Sequence, residues 1–173
     1  MIKHLHQFVD DAGRLSWGEF LIQHEHHVLV FIPIESTNSE PFYTAEHATD
    51  EAASRPPIDD SYRVGLLKKR TGAHPFENFI TVGRAPTNDI VLKDIEVSKV
   101  HAFFEKVDGV WTVRDNASTN GTYHNGSRIG PGSKVLLRSS DTLKIGPGLS
   151  AVFFSTNDFY QFLRSPEVQE AFK

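Results

Sequence analysis

The chain has 173 residues, of which 39% are hydrophobic, and it carries a formal net charge of −4. This length is enough for one domain with extensions. The absence of cysteine excludes disulfides and thiolate catalysis, and any bound zinc would need histidine and carboxylate ligands.

Charge is unevenly distributed along the chain. Residues 35–62 carry one basic and seven acidic side chains, whereas residues 63–155 carry thirteen basic and eight acidic ones. A basic module preceded by an acidic segment indicates an anionic partner. The N-terminus lacks the apolar core of a signal peptide, and the longest apolar run, residues 28–33, is too short to cross a bilayer. We therefore expect a cytoplasmic protein that contacts no membrane.

The first 61 residues are predicted to precede the main domain. Residues 1–34 are interpreted as an extension that packs on that domain. Within it, Ser16 and Glu19 fit a capping box that opens a short helix, and residues 28–32 are typical of a buried strand. Residues 35–61 are polar, acidic and rich in Ser, Thr, Ala and Pro, so we expect a flexible acidic linker.

Residues 62–155 consist of short apolar or alternating runs separated by turn residues. The predicted strands are residues 63–69, 79–83, 89–92, 102–106, 111–115, 121–124, 134–137, 142–145 and 151–154. Many short strands with no intervening helical pattern predict an all-β sandwich of two antiparallel sheets. Residues 156–173 are predicted to form one closing helix, with Thr156 or Asn157 as the N-cap.

Four loop motifs lie between these strands. In chain order they are Gly83-Arg84, Ser98-Lys99-Val100-His101, Ser118-Thr119-Asn120-Gly121-Thr122 and Asn125-Gly126. Their order and spacing resemble the forkhead-associated (FHA) family, whose β-sandwich binds phosphothreonine peptides. The motifs cover residues 82–146, and the strand pattern extends the resemblance over residues 62–155.

The residues of these motifs suit an anionic ligand. Arg84 follows a glycine at the end of a strand, so its planar guanidinium can project from a loop towards phosphate oxygens. Ser98 and Thr119 offer hydroxyl groups from two other loops, and Lys99 is a candidate second cation. The resemblance implies that Arg84 is the main phosphate anchor and that Asn120 binds the backbone of the peptide.

Four further residues are predicted to support or tune this site. Gly83 permits close backbone approach or a positive φ, and Gly121 ends the Thr119 loop. The resemblance implies that His101 braces the loops by hydrogen bonding. A catalytic pair of His101 with Ser98 is excluded locally, because residues three apart on an extended chain point to opposite faces. Glu96 predicts that Asp or Glu is disfavoured at the third residue after the phosphothreonine.

We therefore expect a phosphopeptide-binding adaptor, with no catalytic residues and no cofactor, that recognises phosphothreonine placed on a partner protein by a Ser/Thr kinase. The expected partner is neither a nucleic acid nor a membrane, and the chain is expected to be a monomer. Two alternatives stay open. One is a phosphate-independent scaffold, and the other is a module inhibited by phosphorylation of its own linker at Thr37, Thr44 or Thr49.

No metal site is predicted from the sequence. Residues 24–27, His-Glu-His-His, are the strongest hint of one. Their spacing differs from the His-Glu-x-x-His pattern, in which two histidines one helical turn apart share a face. We interpret them as a polar junction between a helix and a strand.

Overall fold

The computed structural model describes residues 2–33, 56–73, 76 and 78–173. Two β-sheets dominate this part of the chain. The strands are β1 (Ile2–His4), β2 (Val28–Ile32), β3 (Arg63–Leu66), β4 (Ile80–Gly83), β5 (Ile90–Val91), β6 (Ala102–Val107), β7 (Val110–Asp115), β8 (Thr122–His124), β9 (Ser127–Arg128), β10 (Val135–Leu137), β11 (Thr142–Ile145) and β12 (Leu149–Phe154). The helices are α1 (Leu5–Arg14), α2 (Trp17–Gln23), α3 (Thr156–Leu163) and α4 (Pro166–Ala171).

The two sheets pack face to face as a sandwich, which confirms the predicted fold class. One sheet has the strand order β1-β3-β2-β12-β11-β8-β9, and the other has the order β10-β7-β6-β4-β5. Neighbouring strands are antiparallel except β4 and β5, which are parallel, so the expectation of two purely antiparallel sheets needs this correction. A parallel pair requires a crossover connection, and here the loop of residues 84–89 provides it.

Two of the hairpins follow directly from the sequence. Asp108 and Gly109 join β6 to β7 with φ values of 50° and 83°, and Asn125 and Gly126 join β8 to β9 with φ values of 46° and 79°. Positive φ at both central residues is typical of the tight turn that matches the twist of the flanking strands. Asx-Gly sequences favour this turn because they tolerate the left-handed region at low cost.

The first 34 residues contribute strands to a sheet. β2 lies between β3 and β12 and pairs with both, and β1 adds an edge strand next to β3. Ser16 and Glu19 form the predicted capping box at the start of α2. Helix α1 and strand β1 lie outside what the sequence predicts.

A second core lies between the helices and the outer face of the larger sheet. Fully buried aromatic and aliphatic side chains from the helices fill it, namely Leu5, Phe8, Phe20, Phe159 and Leu163, and they meet Val28, Val30 and Val64 of the sheet. The first core lies between the two sheets and includes Val82, Phe104, Val113, Leu143 and Ile145. The helical layer therefore covers a sheet face that would otherwise be apolar and exposed.

The C-terminal region differs from the single helix that the sequence predicts. Ser155, rather than Thr156 or Asn157, caps α3 through its side chain, which accepts a hydrogen bond from the backbone N–H of Asp158. The chain then turns, and Ser165 caps a second helix that starts with Pro166. Proline suits the first position of a helix because its missing N–H needs no partner there, and it also ends the preceding helix.

Most of the predicted linker lies outside the described residues, including Thr37, Thr44 and Thr49. Its last residues contact the fold: the hydroxyl of Tyr62 donates to the carbonyl of Pro56, and Ile58 packs against the second core. None of the helices in the described ranges is long and apolar enough to cross a membrane.

Candidate functional site

Three loops meet at one end of the sandwich. They follow β4, precede β6 and precede β8, and they carry the first three sequence motifs. The backbone N–H groups of Arg84 and Ala85 donate to the carbonyls of Ser98 and Lys99, at 3.0 and 3.1 Å. These bonds fix the first loop against the second, so the positions of Arg84 and Ser98 are coupled.

Gly83 lies where the two loops approach most closely. A Cβ atom at this position would lie 2.5 Å from the carbonyl oxygen of Lys99 and 2.9 Å from that of Ser98. Both atoms belong to the backbone, so they cannot move away as a flexible side chain could. The structural reason for glycine at position 83 is therefore close backbone approach, one of the two explanations that the sequence left open.

Ser98 and Thr119 are brought together from different loops. The backbone N–H of Thr119 donates to the hydroxyl oxygen of Ser98 at 3.0 Å, and the two hydroxyl oxygens are 3.4 Å apart. The two hydroxyl groups therefore lie close enough to contact one anionic group together.

Asn120 links its loop to the segment before Ser98. Its side-chain Nδ2 donates to the carbonyl of Glu96 at 2.9 Å. Within the described ranges its Oδ1 accepts no hydrogen bond, so this oxygen is available to a ligand N–H. The carboxylate of Glu96 lies on the exposed side of this loop, near Gly148.

Two cations border these polar groups. Arg84 and Lys99 are exposed, and neither side chain has a hydrogen bond or ion pair with a described residue. Asn88 supports both loops: its Nδ2 donates to the carbonyl of Ala85 in the first loop at 2.9 Å and to that of Lys99 in the second at 2.6 Å. The backbone around Arg84 is thus ordered while its guanidinium stays open to solvent.

His101 is fully buried between the second and third loops. Its Nδ1 accepts a hydrogen bond from the backbone N–H of Ser98 at 3.1 Å, and its Nε2 lies 3.1 Å from the carbonyl of Gly121, to which it donates. This arrangement requires a neutral ring with the proton on Nε2. Burial lowers the pKa of His101, although the hydrogen bond to Gly121 and the nearby Asp115 oppose the shift. The histidine contacts the backbone N–H of Ser98 rather than its hydroxyl, which is unsuited to nucleophilic catalysis.

Asp115 shapes the third loop from beneath. It accepts hydrogen bonds from the backbone N–H and hydroxyl of Ser118, at 2.9 and 2.6 Å, and from the hydroxyl of Thr122 at 2.6 Å. Burial alone would raise the pKa of Asp115, but these hydrogen bonds outweigh it and hold that pKa below its usual value. Asp115 and Ser118 therefore form a side-chain-stabilised turn that supports the third loop.

Arg128 belongs to the same region, and the sequence motifs overlook it. A Cβ atom on Gly121 would lie 2.6 Å from the Nε atom of Arg128, so the guanidinium rests on the backbone of the third loop. The Asn125-Gly126 turn places Arg128 opposite Tyr123. A two-residue hairpin drawn from that turn would have identified the pairing from sequence.

Residues 24–27 do not converge as metal ligands. His24 Nε2 lies 3.0 Å from the Asp11 carboxylate of α1, whereas His26 lies 3.5 Å from the exposed Glu25. His27 packs against the rings of Trp111 and Phe153. The three histidines therefore have three different surroundings.

Comparison with known proteins identifies the module. Residues 80–146 match the family model of the FHA domain. This region of the chain is an FHA domain. The matched residues contain the three loops described above, and the FHA domain therefore coincides with the site.

Known relatives align mainly with this FHA domain. The chain is 38% identical over 88 residues to the oxoglutarate dehydrogenase inhibitor of Corynebacterium diphtheriae, covering 47% of this chain and 59% of that protein. It is 31% identical to the solution structure of the FHA domain of an Arabidopsis thaliana hypothetical protein, with a TM-score of 0.44, covering 52% of this chain and 73% of that one. For the N-terminal FHA domain of S. cerevisiae Rad53p in complex with a phosphothreonine peptide, the identity is 28%, the TM-score is 0.46, and the coverage is 57% of this chain and 89% of that one. The chain spans less than two thirds of the length of the curated relatives that it matches.

Proposed function

We propose that the FHA domain of this chain binds phosphothreonine segments of partner proteins and performs no catalysis. The observation that carries this proposal is the meeting of three loops: the backbone of Arg84 is bonded to that of Ser98, the hydroxyl of Ser98 contacts Thr119, and the Arg84 guanidinium has no partner among the described residues. A phosphate dianion needs positive charge together with several hydrogen-bond donors, and this set offers both. The match of residues 80–146 to the FHA domain model supports the same ligand.

Each group has a distinct part in the proposed complex. The guanidinium of Arg84 pairs with two phosphate oxygens, and the hydroxyls of Ser98 and Thr119 donate to the remaining one. Lys99 adds a second positive charge. Asn120 holds the peptide backbone through its Oδ1, which accepts an N–H of the ligand.

The biological role that fits this binding is an adaptor in Ser/Thr kinase signalling. The kinase creates the phosphothreonine, and the domain then recruits the modified partner. We further propose that the chain acts as a monomer in the cytoplasm. A protein without cysteine is compatible with this reducing compartment, in which such kinases also act. Inhibition by a phosphorylated linker remains a prediction, because its threonines lie outside the described residues.

The test is a titration with matched peptides that carry phosphothreonine, phosphoserine or unmodified threonine, drawn from a degenerate library. We expect wild-type protein to bind the phosphothreonine set. Arg84→Ala should weaken this binding roughly 30- to 150-fold, since charge-assisted hydrogen bonds are worth about 2–3 kcal/mol. Arg138→Ala is the matched control. Arg138 is an exposed arginine that lies before the start of β11, and the loops lie at the other end of that strand.

Two results would contradict the proposal. One is equal binding of phosphorylated and unmodified peptides, which would favour the phosphate-independent scaffold. The other is an Arg84→Ala protein that is folded and binds phosphothreonine like wild type. Near-ultraviolet circular dichroism of each variant checks the fold.

Sequence selectivity of the peptide is a separate prediction. The carboxylate of Glu96 lies beside Asp94, and both approach Gly148 at the edge of the site. We expect Asp or Glu at the third residue after the phosphothreonine to bind about two- to five-fold more weakly than Lys or Gln, the range of exposed charge pairs. Glu96→Gln should remove this difference on a peptide array, whereas Glu170→Gln on the remote helix α4 should preserve it. A preference for acidic residues at that position would refute the assignment.

A further inference from the structure

A second group of polar side chains lies at the corner where β1 meets α1. It consists of His4, His6 and Asp60, and their nearest ligand atoms all lie within 4.8 Å of one another. The Oδ1 atom of Asp60 is 2.5 Å from Nδ1 of His6 and 4.0 Å from Nδ1 of His4. Two imidazole nitrogens and a carboxylate oxygen therefore point at one small volume, outside the phosphate-binding loops.

One of these atoms lacks a partner. The Nδ1 atom of His4 is buried and makes no hydrogen bond with any residue that the structure describes. Buried polar atoms in folded proteins are almost always satisfied, and an exception calls for a bound water or ion. This atom lies 4.0 Å from Oδ1 of Asp60, and a shared cation would satisfy it together with the other two ligand atoms.

The backbone holds the three ligands at fixed positions. His4 ends β1 and pairs with Arg63 of β3, and His6 lies in the first turn of α1. Between the two histidines, the N–H of Leu5 donates to the carbonyl of Tyr62 at 3.2 Å, which ties this corner to the segment of Asp60. The corner therefore exists before any ion binds, so little ordering is required.

The donor set indicates the class of ion. Imidazole nitrogen with one carboxylate suits zinc and similar divalent transition metals, whereas calcium and magnesium prefer oxygen ligands only. Tetrahedral zinc with bonds of about 2.0–2.1 Å places neighbouring ligand atoms roughly 3.4 Å apart. The two distances from Asp60 Oδ1 to the histidine nitrogens, 2.5 and 4.0 Å, lie on either side of this value. Small rotations of three partly exposed side chains are enough to reach it.

The local charge also favours a cation. Residues 35–62, which end beside this corner, carry a net charge of −6. The guanidinium of Arg63 opposes the cation but is engaged by the carbonyls of Asp60 and Tyr62. The described acidic residues of this segment, Asp59 and Asp60, therefore add negative charge at the corner.

We propose that His4, His6 and Asp60 bind one zinc-class divalent transition-metal ion, with water as the fourth ligand. The ion joins the corner of β1 and α1 to the segment that directly precedes β3. This site is independent of phosphopeptide binding. Because the ion binds the folded state, it stabilises the fold by an amount that rises with the logarithm of its concentration once that concentration exceeds Kd.

The experiment uses the full chain after treatment with a chelator. Zinc chloride is titrated by calorimetry, and Co²⁺ replaces zinc for visible absorption, which reports tetrahedral coordination. We expect one ion per chain, a rise in Tm with zinc but not with magnesium, and at least tenfold weaker binding in both His6→Ala and Asp60→Asn. His26→Ala is the matched control, because it removes a histidine outside this cluster, and it should bind zinc like wild type.

Two outcomes would overturn the proposal. The first is no zinc binding by the wild-type chain at concentrations up to the millimolar range. The second is unchanged affinity in folded Asp60→Asn, which removes the charge with almost no change in shape. Phosphopeptide affinity, measured with and without zinc, should not change, so this result stands apart from the test of the FHA site.

Discussion

Gly83→Ala is expected to lower the free energy of unfolding by about 3 kcal/mol and to abolish phosphothreonine binding. The added Cβ would lie 2.5 Å from the carbonyl oxygen of Lys99, well inside van der Waals contact. Overpacking of a tight site typically costs about 1–3 kcal/mol, and here backbone rather than a side chain must move. Relief of the clash separates the two loops and breaks the bonds that position Arg84 and Ser98.

Urea denaturation and peptide titration measure the two effects. Gly13→Ala is the control, because Gly13 lies in α1 with open space around its Cα. That substitution should stabilise the protein by about 0.5–1 kcal/mol, the difference between alanine and glycine in a helix. Wild-type stability and affinity in Gly83→Ala would show that the loops tolerate a wider spacing than this structure indicates.

Acidification is expected to loosen the same loops through His101. The Nδ1 atom of His101 accepts the N–H of Ser98, so protonation at that nitrogen replaces an acceptor with a donor and breaks the bond. The pKa of His101 is lowered in the folded state by burial. The unfolded chain therefore binds the proton first, and stability that is complete above about pH 6.5 is lost as the pH falls below it.

His101→Gln isolates this contribution. Glutamine can accept from Ser98 and donate to Gly121 without titrating, so its stability should fall less between pH 7.5 and 5 than that of wild type. Comparison of the two proteins is necessary because burial also lowers the pKa of His24, His26 and His27. Parallel stability curves for the two proteins would rule out His101 as the source.

The features that sequence predicted best are those encoded locally. The Asp108-Gly109 and Asn125-Gly126 hairpins depend on residues with positive φ, and the capping box of α2 depends on Ser16 and Glu19. Each of these signals operates within four residues. Helix α1 was not predicted because its N-cap, His4, makes no side-chain capping bond, so no sequence signal marks the start of the helix. The split of the C-terminal helix was readable from Ser165 and Pro166.

The candidate sites divide in the same way. The loop motifs name Arg84, Ser98, Thr119 and Asn120, and the structure brings their loops together. Arg128 was missed because its contact with Gly121 is made across a hairpin. The cluster of His4, His6 and Asp60 was missed because Asp60 lies 54 residues from His6 in the sequence. No local sequence pattern indicates that the two side chains are in contact. The strongest hint of a metal site in the sequence was instead residues 24–27, whose side chains have different surroundings in the structure.

The placement of β2 beside β3 changes the meaning of the acidic segment. Phe31 pairs with Arg63, so both ends of the intervening stretch are held on neighbouring strands of one sheet. The segment thus connects two neighbouring strands of one sheet, as the loop of a hairpin does, and is not a linker between two domains. Doubling the length of such a connection costs only about 0.6 kcal/mol in closure entropy. Insertions in this segment should therefore cost little stability, and β2 and β3 should still pair when its sequence or length changes.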